Sequence, residues 1–495
     1  MDKDIIKLTN QNSNRREFMV SGIVLILLVG VFAPASALLT GITDQLSFLF
    51  IGLAGFIWLL FILYRGCLAA GFASSVPALV SFNIGIPLSP WIGPTRVELL
   101  LVDFGLVLVA ALSILLWHIE SKSHILYLIL PIFLFAVWSF ISGIVAVLQG
   151  YPPTGIIFGI NQFRYVLIAI ATIGISLSFG HKPIMITLFT SISIHSINAI
   201  MQSLIGRPWG LPYYGDSGMS VANTEIGFGL LQFTTGLFPG GFVGSSRSLL
   251  AMLLIVFVPA IYYLSKGGFQ AVPALVCIIS TPLVVIASRS QNGLAVFIIS
   301  CVIIVTVLLL IRCNKFISLA TILAGTIIGF FLLWAFIWRI LSLDLTSTSA
   351  IRYRQYIIAI ETGFSHPGFG IGGMNFNWYT DLGLREGYED VEEIYGVHNT
   401  FLAYFAELGL PGLLLYIISI FVPYYYCIKK FASTHSLLAG LFAIGMLNFH
   451  IFSNLAWVYH REVVIMTFWL VVTVASTSCL DMNNIKRRSK FTFEE

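Results

Sequence analysis

Apolar runs of about 20 residues recur from one end of this 495-residue sequence to the other, each long enough to cross the roughly 30 Å hydrocarbon core of a bilayer as a helix. Lipid offers the backbone no partners, so every N–H and C=O in such a run must be paired within the segment, and a helix does that. Composition agrees: 58% of residues are hydrophobic and 10% charged, with a mean hydropathy of +0.94, against roughly 25% charged in a soluble domain. The expectation is an all-α, polytopic helical membrane protein, a single membrane-embedded domain over residues 1–495 with about 12–14 transmembrane helices. A net charge of +4 is too small to point to nucleic acid.

The apolar windows fall near 18–40, 46–64, 67–88, 98–117, 125–148, 165–180, 184–205, 247–264, 270–287, 293–311, 316–338, 412–428, 434–453 and 458–478. The first follows Arg15 and Arg16 and reads as a retained span, being longer than a signal-peptide core and lacking a small-residue cleavage site. The six cysteines form no CxxC pair, so neither a disulfide framework nor a thiolate metal site is indicated.

Both chain ends are basic, which puts both termini in the cytoplasm and requires an even number of spans. This topology places every lysine on the cytoplasmic side, in short turns such as GHKP, SKGG and IKK. Arginine behaves differently. Arg96, Arg164, Arg207, Arg247, Arg289, Arg339, Arg352, Arg354, Arg385 and Arg461 fall on or just within the outer face. A single outer arginine can be a tolerated surface residue, but an indifferent surface would have taken lysine as well. Guanidinium groups meet phosphate oxygens bidentately and stay charged when partly desolvated, so a diphosphate ligand at the outer membrane face is the economical reading. The outer segments 151–164 and 207–247, rich in Gly, Pro and aromatics, suit loops or interfacial helices.

The one long polar interval, 339–411, is the expected extracytoplasmic loop carrying the active site. Within it stand Arg352 and Arg354, the turn His366-Pro367-Gly368-Phe-Gly370-Ile-Gly372, an acidic run Glu389–Glu393, and His398-Asn399-Thr-Phe-Leu402-x4-Glu407-x-Gly409-x2-Gly412. Asn399 and Thr400 are capping residues, so His398 should sit at a helix N-terminus, where the dipole disfavours imidazolium and keeps the ring available as a base. The plainer alternative is a histidine that only hydrogen-bonds its loop. Glu407 lies about 13 Å from His398 along a continuous helix, so it is expected to tie that helix to a neighbouring span instead.

The His398–Gly412 pattern after a long outer loop resembles the O-antigen ligase and polymerase family of bacterial cell-envelope glycosyltransferases. Supporting matches are Arg352 with the His366–Gly372 turn, the Gly241-Phe-Val-Gly-Ser-Ser-Arg247 loop, and Ser288-Arg289-Ser290, over about residues 160 to 470. The resemblance implies a GT-C-like transferase of the inner membrane with its active site on the periplasmic face. Its donor would be an undecaprenyl-diphosphate-linked glycan, and its acceptor a sugar hydroxyl on a lipid-linked repeat or on lipid A–core. Polymerisation is the first reading and ligation the second, with a chain-length regulator or other assembly proteins as further partners. Position by position, it makes His398 the catalytic base, Arg247, Arg289 and Arg352 the diphosphate grip, Arg164 a weaker addition, and Arg354 and Glu407 supporting residues. Arginines would supply the positive charge, so no cofactor or metal is expected, and attack opposite the leaving diphosphate would invert the anomeric centre.

Two features invite plainer readings. Asp44 suits a turn aspartate better than a catalytic acid, and Arg96, Glu98 and Asp103 suit structural pairing within or beside a span. The acidic run reads as a solvated face before a cation site. Trp209, Tyr213, Trp378 and Tyr395 could stack on sugars, but interfacial aromatics are general in membrane proteins. The rival class is a flippase for the same lipid-linked sugar. Such proteins tend to carry internal repeats and broken helices with charges at mid-membrane depth, whereas here the sequence has no repeat and its charges gather at one face.

Overall fold

Segments dominated by Leu, Ile, Val and Phe satisfy their own backbones as helices. The computed structural model has a helix at each predicted window except 316–338, which lies outside the described residues. Described are residues 2–32, 35, 44–82, 85–87, 98–120, 123–205, 226–228, 231–233, 246–288, 290–312, 348–381, 396–456 and 461–479. The helices are α1 (Asp2–Leu27, continued by a π-turn to Phe32), α2 (Asp44–Tyr64), α3 (Leu68–Leu79), α4 (Leu101–Glu120), α5 (Ser123–Leu148), α6 (Thr154–Phe179), α7 (His181–Ile205), α8 (Ser246–Ser265), α9 (Ala271–Ala287) and α10 (Gln291–Arg312). They continue with α11 (Thr348–Ser365), α12 (Phe376–Asp381), α13 (Thr400–Thr434), α14 (Leu437–Ser453) and α15 (Glu462–Cys479). Two antiparallel pairs of three-residue strands, β1 (Gly85–Pro87) with β2 (Glu98–Leu100) and β3 (Ile226–Phe228) with β4 (Leu231–Phe233), complete the described elements.

Among the described residues, seven helices are long and apolar enough to cross a membrane, and shorter apolar ones stand between them. This is a multi-pass, all-α membrane protein. Large apolar side chains remain on the outside, among them Phe56, Leu60, Leu126, Val272, Ile286 and Phe421, where lipid replaces water as the solvent. α15 is buried almost all round and forms the middle of the bundle. α5 and α6 approach through glycine: a Cβ on Gly155 would stand 3.0 Å from the Gly143 Cα, the close contact small residues allow in lipid.

Three expectations change. The 67–88 window becomes a 12-residue helix whose last turn contains Pro77. At about 18 Å it is too short to span, and its nearly continuous burial makes it a core element. The segment 151–164, expected as a loop or interfacial helix, is the first part of α6, so Arg164 lies inside a helix. The helix opening at Thr400 does not stop at the Gly409-Leu-Pro-Gly sequence but resumes at once as α13.

At 35 residues α13 would run about 52 Å if straight, longer than a bilayer core. It is not straight. Tyr404 and Tyr416, about 18 Å apart on a straight helix, have ring centroids 4.6 Å apart, so the short leg 400–408 folds back on the span that follows. The hinge is Gly409, at φ +71°, where a Cβ would stand 2.5 Å from the Gly368 carbonyl oxygen. Pro411 lacks the N–H that would have bonded the Glu407 carbonyl. That carbonyl instead accepts from Gly372 N at 2.8 Å and from Ser142 Oγ at 3.3 Å, while Ala406 O accepts from Ile371 N at 3.2 Å and Leu410 N donates to Pro367 O at 2.9 Å. The His366–Gly372 turn and the Glu407–Gly412 stretch are two halves of one clasp.

Candidate active site

The clasp fixes the short leg of α13, and the leg carries His398 at its entrance. Asn399 is the N-cap, its Oδ1 accepting from Leu402 N at 3.0 Å, so His398 stands immediately before the helix as its sequence pattern indicates. α11 holds it from one face. Gln355, Tyr356 and Arg352 share that face, three and four residues apart. The amide oxygen of Gln355, a residue almost wholly buried, lies 3.0 Å from His398 Nδ1, and Tyr356 Oη donates to the His398 carbonyl at 3.4 Å. An amide oxygen only accepts, so the ring proton sits on Nδ1 and the lone pair on Nε2.

Two guanidinium groups act on this ring. Burial, then Arg352, then Arg247 lower the His398 pKa to about 3. The imidazole is therefore neutral across the physiological range. Arg352 is itself held below the usual arginine value, by desolvation first and by the charge on Arg247 as a further cause, and its Nε has no hydrogen-bond partner among the described residues. Arg247 stands in the first turn of α8 with an exposed side chain. Among the described residues no carboxylate pairs with Arg247 or Arg352.

The other nominated residues divide. Arg164 is engaged elsewhere: its Nη1 bonds Glu462 and its Nη2 lies 3.0 Å from Asp103 Oδ2. Asp103 also accepts from Leu100 N at 2.8 Å, so it has the pairing role its position suggested, with Arg164 as partner. Arg354 is two residues from Arg352 and points about 200° away round α11, off the shared face. Glu407 is buried beneath the clasp. Asp44 opens α2, Glu98 lies in β2, and Trp378 packs on Tyr151 at 5.5 Å between centroids. Arg289, Arg96, Trp209, Tyr213, Tyr395 and the Glu389–Glu393 run lie outside the described residues, as do Arg207, Arg339 and Arg385.

Sequence reasoning missed Gln355, because a glutamine on a helix carries no signal until its partner is known. It also left Arg461 in the general list of outer arginines. Among the described residues no cluster of three metal-binding side chains occurs.

Residues 273–417 match the family described as O-antigen ligase. The matched stretch includes Arg352, Gln355, His398 and the clasp, and ends before Arg461. Among curated proteins none matches the chain.

Proposed function

Taking residues 273–417 as an O-antigen ligase domain, we propose that this protein transfers a glycan from undecaprenyl diphosphate to a sugar hydroxyl at the outer face of the cytoplasmic membrane, with both termini inside. The observation that carries this reading is His398, its Nδ1 3.0 Å from the Gln355 amide oxygen, beside two arginines that no described carboxylate neutralises. Arg352 and Arg247 bind the diphosphate. His398 Nε2 takes the proton of the acceptor hydroxyl, the freed oxygen attacks the anomeric carbon, and the bond to the diphosphate oxygen breaks with inversion. The electron pair leaves on the diphosphate, where the guanidinium charge stabilises it. The partial burial of His398 and Arg352 strengthens that stabilisation.

A broken helix such as α13 is also a feature of transporters, where freed carbonyls coordinate ions. Here the freed carbonyls of Ala406 and Glu407 are occupied by loop amides, which favours the transferase.

The test is the surface-glycan ladder of a deletion strain complemented with wild type or His398→Ala. Single repeat units on the acceptor after deletion identify a polymerase, and unattached lipid-linked polymer identifies a ligase. His398→Ala should restore nothing while the purified variant still binds undecaprenyl diphosphate; full rescue would remove His398 as the base. Arg352→Lys should lose most activity, roughly tenfold or more, because a point cation does not replace a bidentate fork.

A further inference from the structure

Arg461 sits at the N-terminus of the central helix, its carbonyl accepting from Val464 N at 3.0 Å and Ile465 N at 3.1 Å. Its level in the bundle follows from the helices around it. Asn448 Nδ2 donates to Leu254 O at 3.0 Å, and Gly445 lies against Ile255 and Pro259, so α14 runs antiparallel to α8. α15 runs antiparallel to α14, with Phe468 stacked on Phe449 and Cys479 meeting Cys427, on the stretch of α13 that packs on Gly440 near the start of α14, and is therefore parallel to α8. The two parallel helices touch where Thr467 Oγ1 meets Met252 Sδ at 3.3 Å. Arg247 is five residues before Met252 and Arg461 six before Thr467, so both arginines stand about 8–9 Å beyond that contact on the same side. They form one tier at one end of two adjacent helices.

Nothing described neutralises this tier. Arg461 is exposed and, like Arg247 and Arg352, has no carboxylate partner among the described residues. Protein still crowds it: desolvation first, then the charge on Arg247, holds its pKa below the usual arginine value. The next residue does the opposite. Glu462 accepts from Asn161 and pairs with Arg164 on α6, and Arg164 also reaches Asp103 on α4. Three helices are thereby pinned together one residue from Arg461. Like charges brought together on rigid elements and left unpaired are unfavourable without an anion among them.

We infer that Arg461 is a third guanidinium of the diphosphate site, supplied by α15, and that Glu462, bound to Arg164 and Asn161, is the positioning residue that sets it opposite Arg247. This rests on the function proposed above. It gives Arg164 a role one step removed from the substrate. Like Arg247, Arg461 lies outside the residues matched to the family.

The experiment uses full-length protein in phosphatidylethanolamine–phosphatidylglycerol nanodiscs, titrated with undecaprenyl diphosphate and, as control, undecaprenyl monophosphate. Arg461→Ala should weaken the diphosphate by about tenfold or more and Arg461→Lys by less, with the monophosphate little changed. Glu462→Gln should weaken the diphosphate severalfold and narrow its preference over the monophosphate, which a merely structural role would not do selectively. If Arg461→Ala and Arg461→Lys both bind the diphosphate like wild type while Arg352→Ala does not, Arg461 has no place in the site and the function stands. If wild type itself does not prefer diphosphate over monophosphate, the proposed function falls and this inference with it. Should the alanine variant not elute as a monodisperse species, the lysine variant, which keeps length and charge, decides by the same comparison.

Discussion

A histidine pressed by two guanidinium charges is a weak base until one of those charges is neutralised. Burial, Arg352 and Arg247 lower the His398 pKa to about 3. A bound diphosphate offsets the two arginines and adds negative charge nearby, so the pKa rises toward its ordinary value and protonation sets in at higher pH. The free enzyme governs kcat/KM and the donor complex governs kcat. The acid limb of kcat should therefore lie about one pH unit or more above that of kcat/KM, and paired pH profiles measure both. Coincident limbs would show that the arginines do not see the donor. Gln355 gives a second prediction at this scale. Gln355→Ala frees the tautomer and should lower kcat by about ten- to a hundredfold with KM little changed. Gln355→Glu, which still accepts from Nδ1, should recover part of the loss.

Among elements, α13 shows most directly how chain chemistry makes the fold. Its bend needs a residue tolerant of positive φ with no Cβ, a missing N–H two residues on, and a loop to take the released carbonyls. Gly409, Pro411 and the Gly370–Gly372 turn supply these. Gly409→Ala sets strained backbone against the Gly368 carbonyl and should destabilise by roughly 1–3 kcal/mol. A thermal shift assay reads that loss, and activity should fall with it because His398 is carried on the displaced leg. Here sequence and structure part company in an instructive way. The glycines were legible as a turn and as a helix break, since glycine and proline announce both. That the two breaks close on each other was not legible, because it depends on which carbonyl lies opposite which amide across some 35 residues of chain. The start of α6 was misread for a related reason. Pro152 and Pro153 suggested a loop, yet proline at a helix start is tolerated, and Asn161 and Arg164 are polar only until Glu462 and Asp103 meet them.

Over the whole molecule, the separation of the two basic residue types was readable and has a structural counterpart. The ends of α7, α8 and α13 that carry Lys182, Lys266, Lys429 and Lys430 lie opposite the end where Arg247, Arg352 and Arg461 gather. What could not be read was which arginines share a site. Arg164 and Arg247 look equivalent in the chain, yet Arg164 lies inside a helix facing two carboxylates, whereas Arg247 is exposed in a first turn with no carboxylate partner among the described residues. The gathering has a consequence for turnover. On the function proposed above, groups that stabilise a departing diphosphate do not let go once it has departed, so the spent lipid carrier would remain in the arginine tier and leave sideways into the bilayer before another donor enters. Raising salt from about 50 to 300 mM screens the grip and should raise the donor KM, and added undecaprenyl diphosphate should inhibit competitively with the donor, less strongly at high salt. Inhibition indifferent to salt would show that the arginines do not hold the spent carrier.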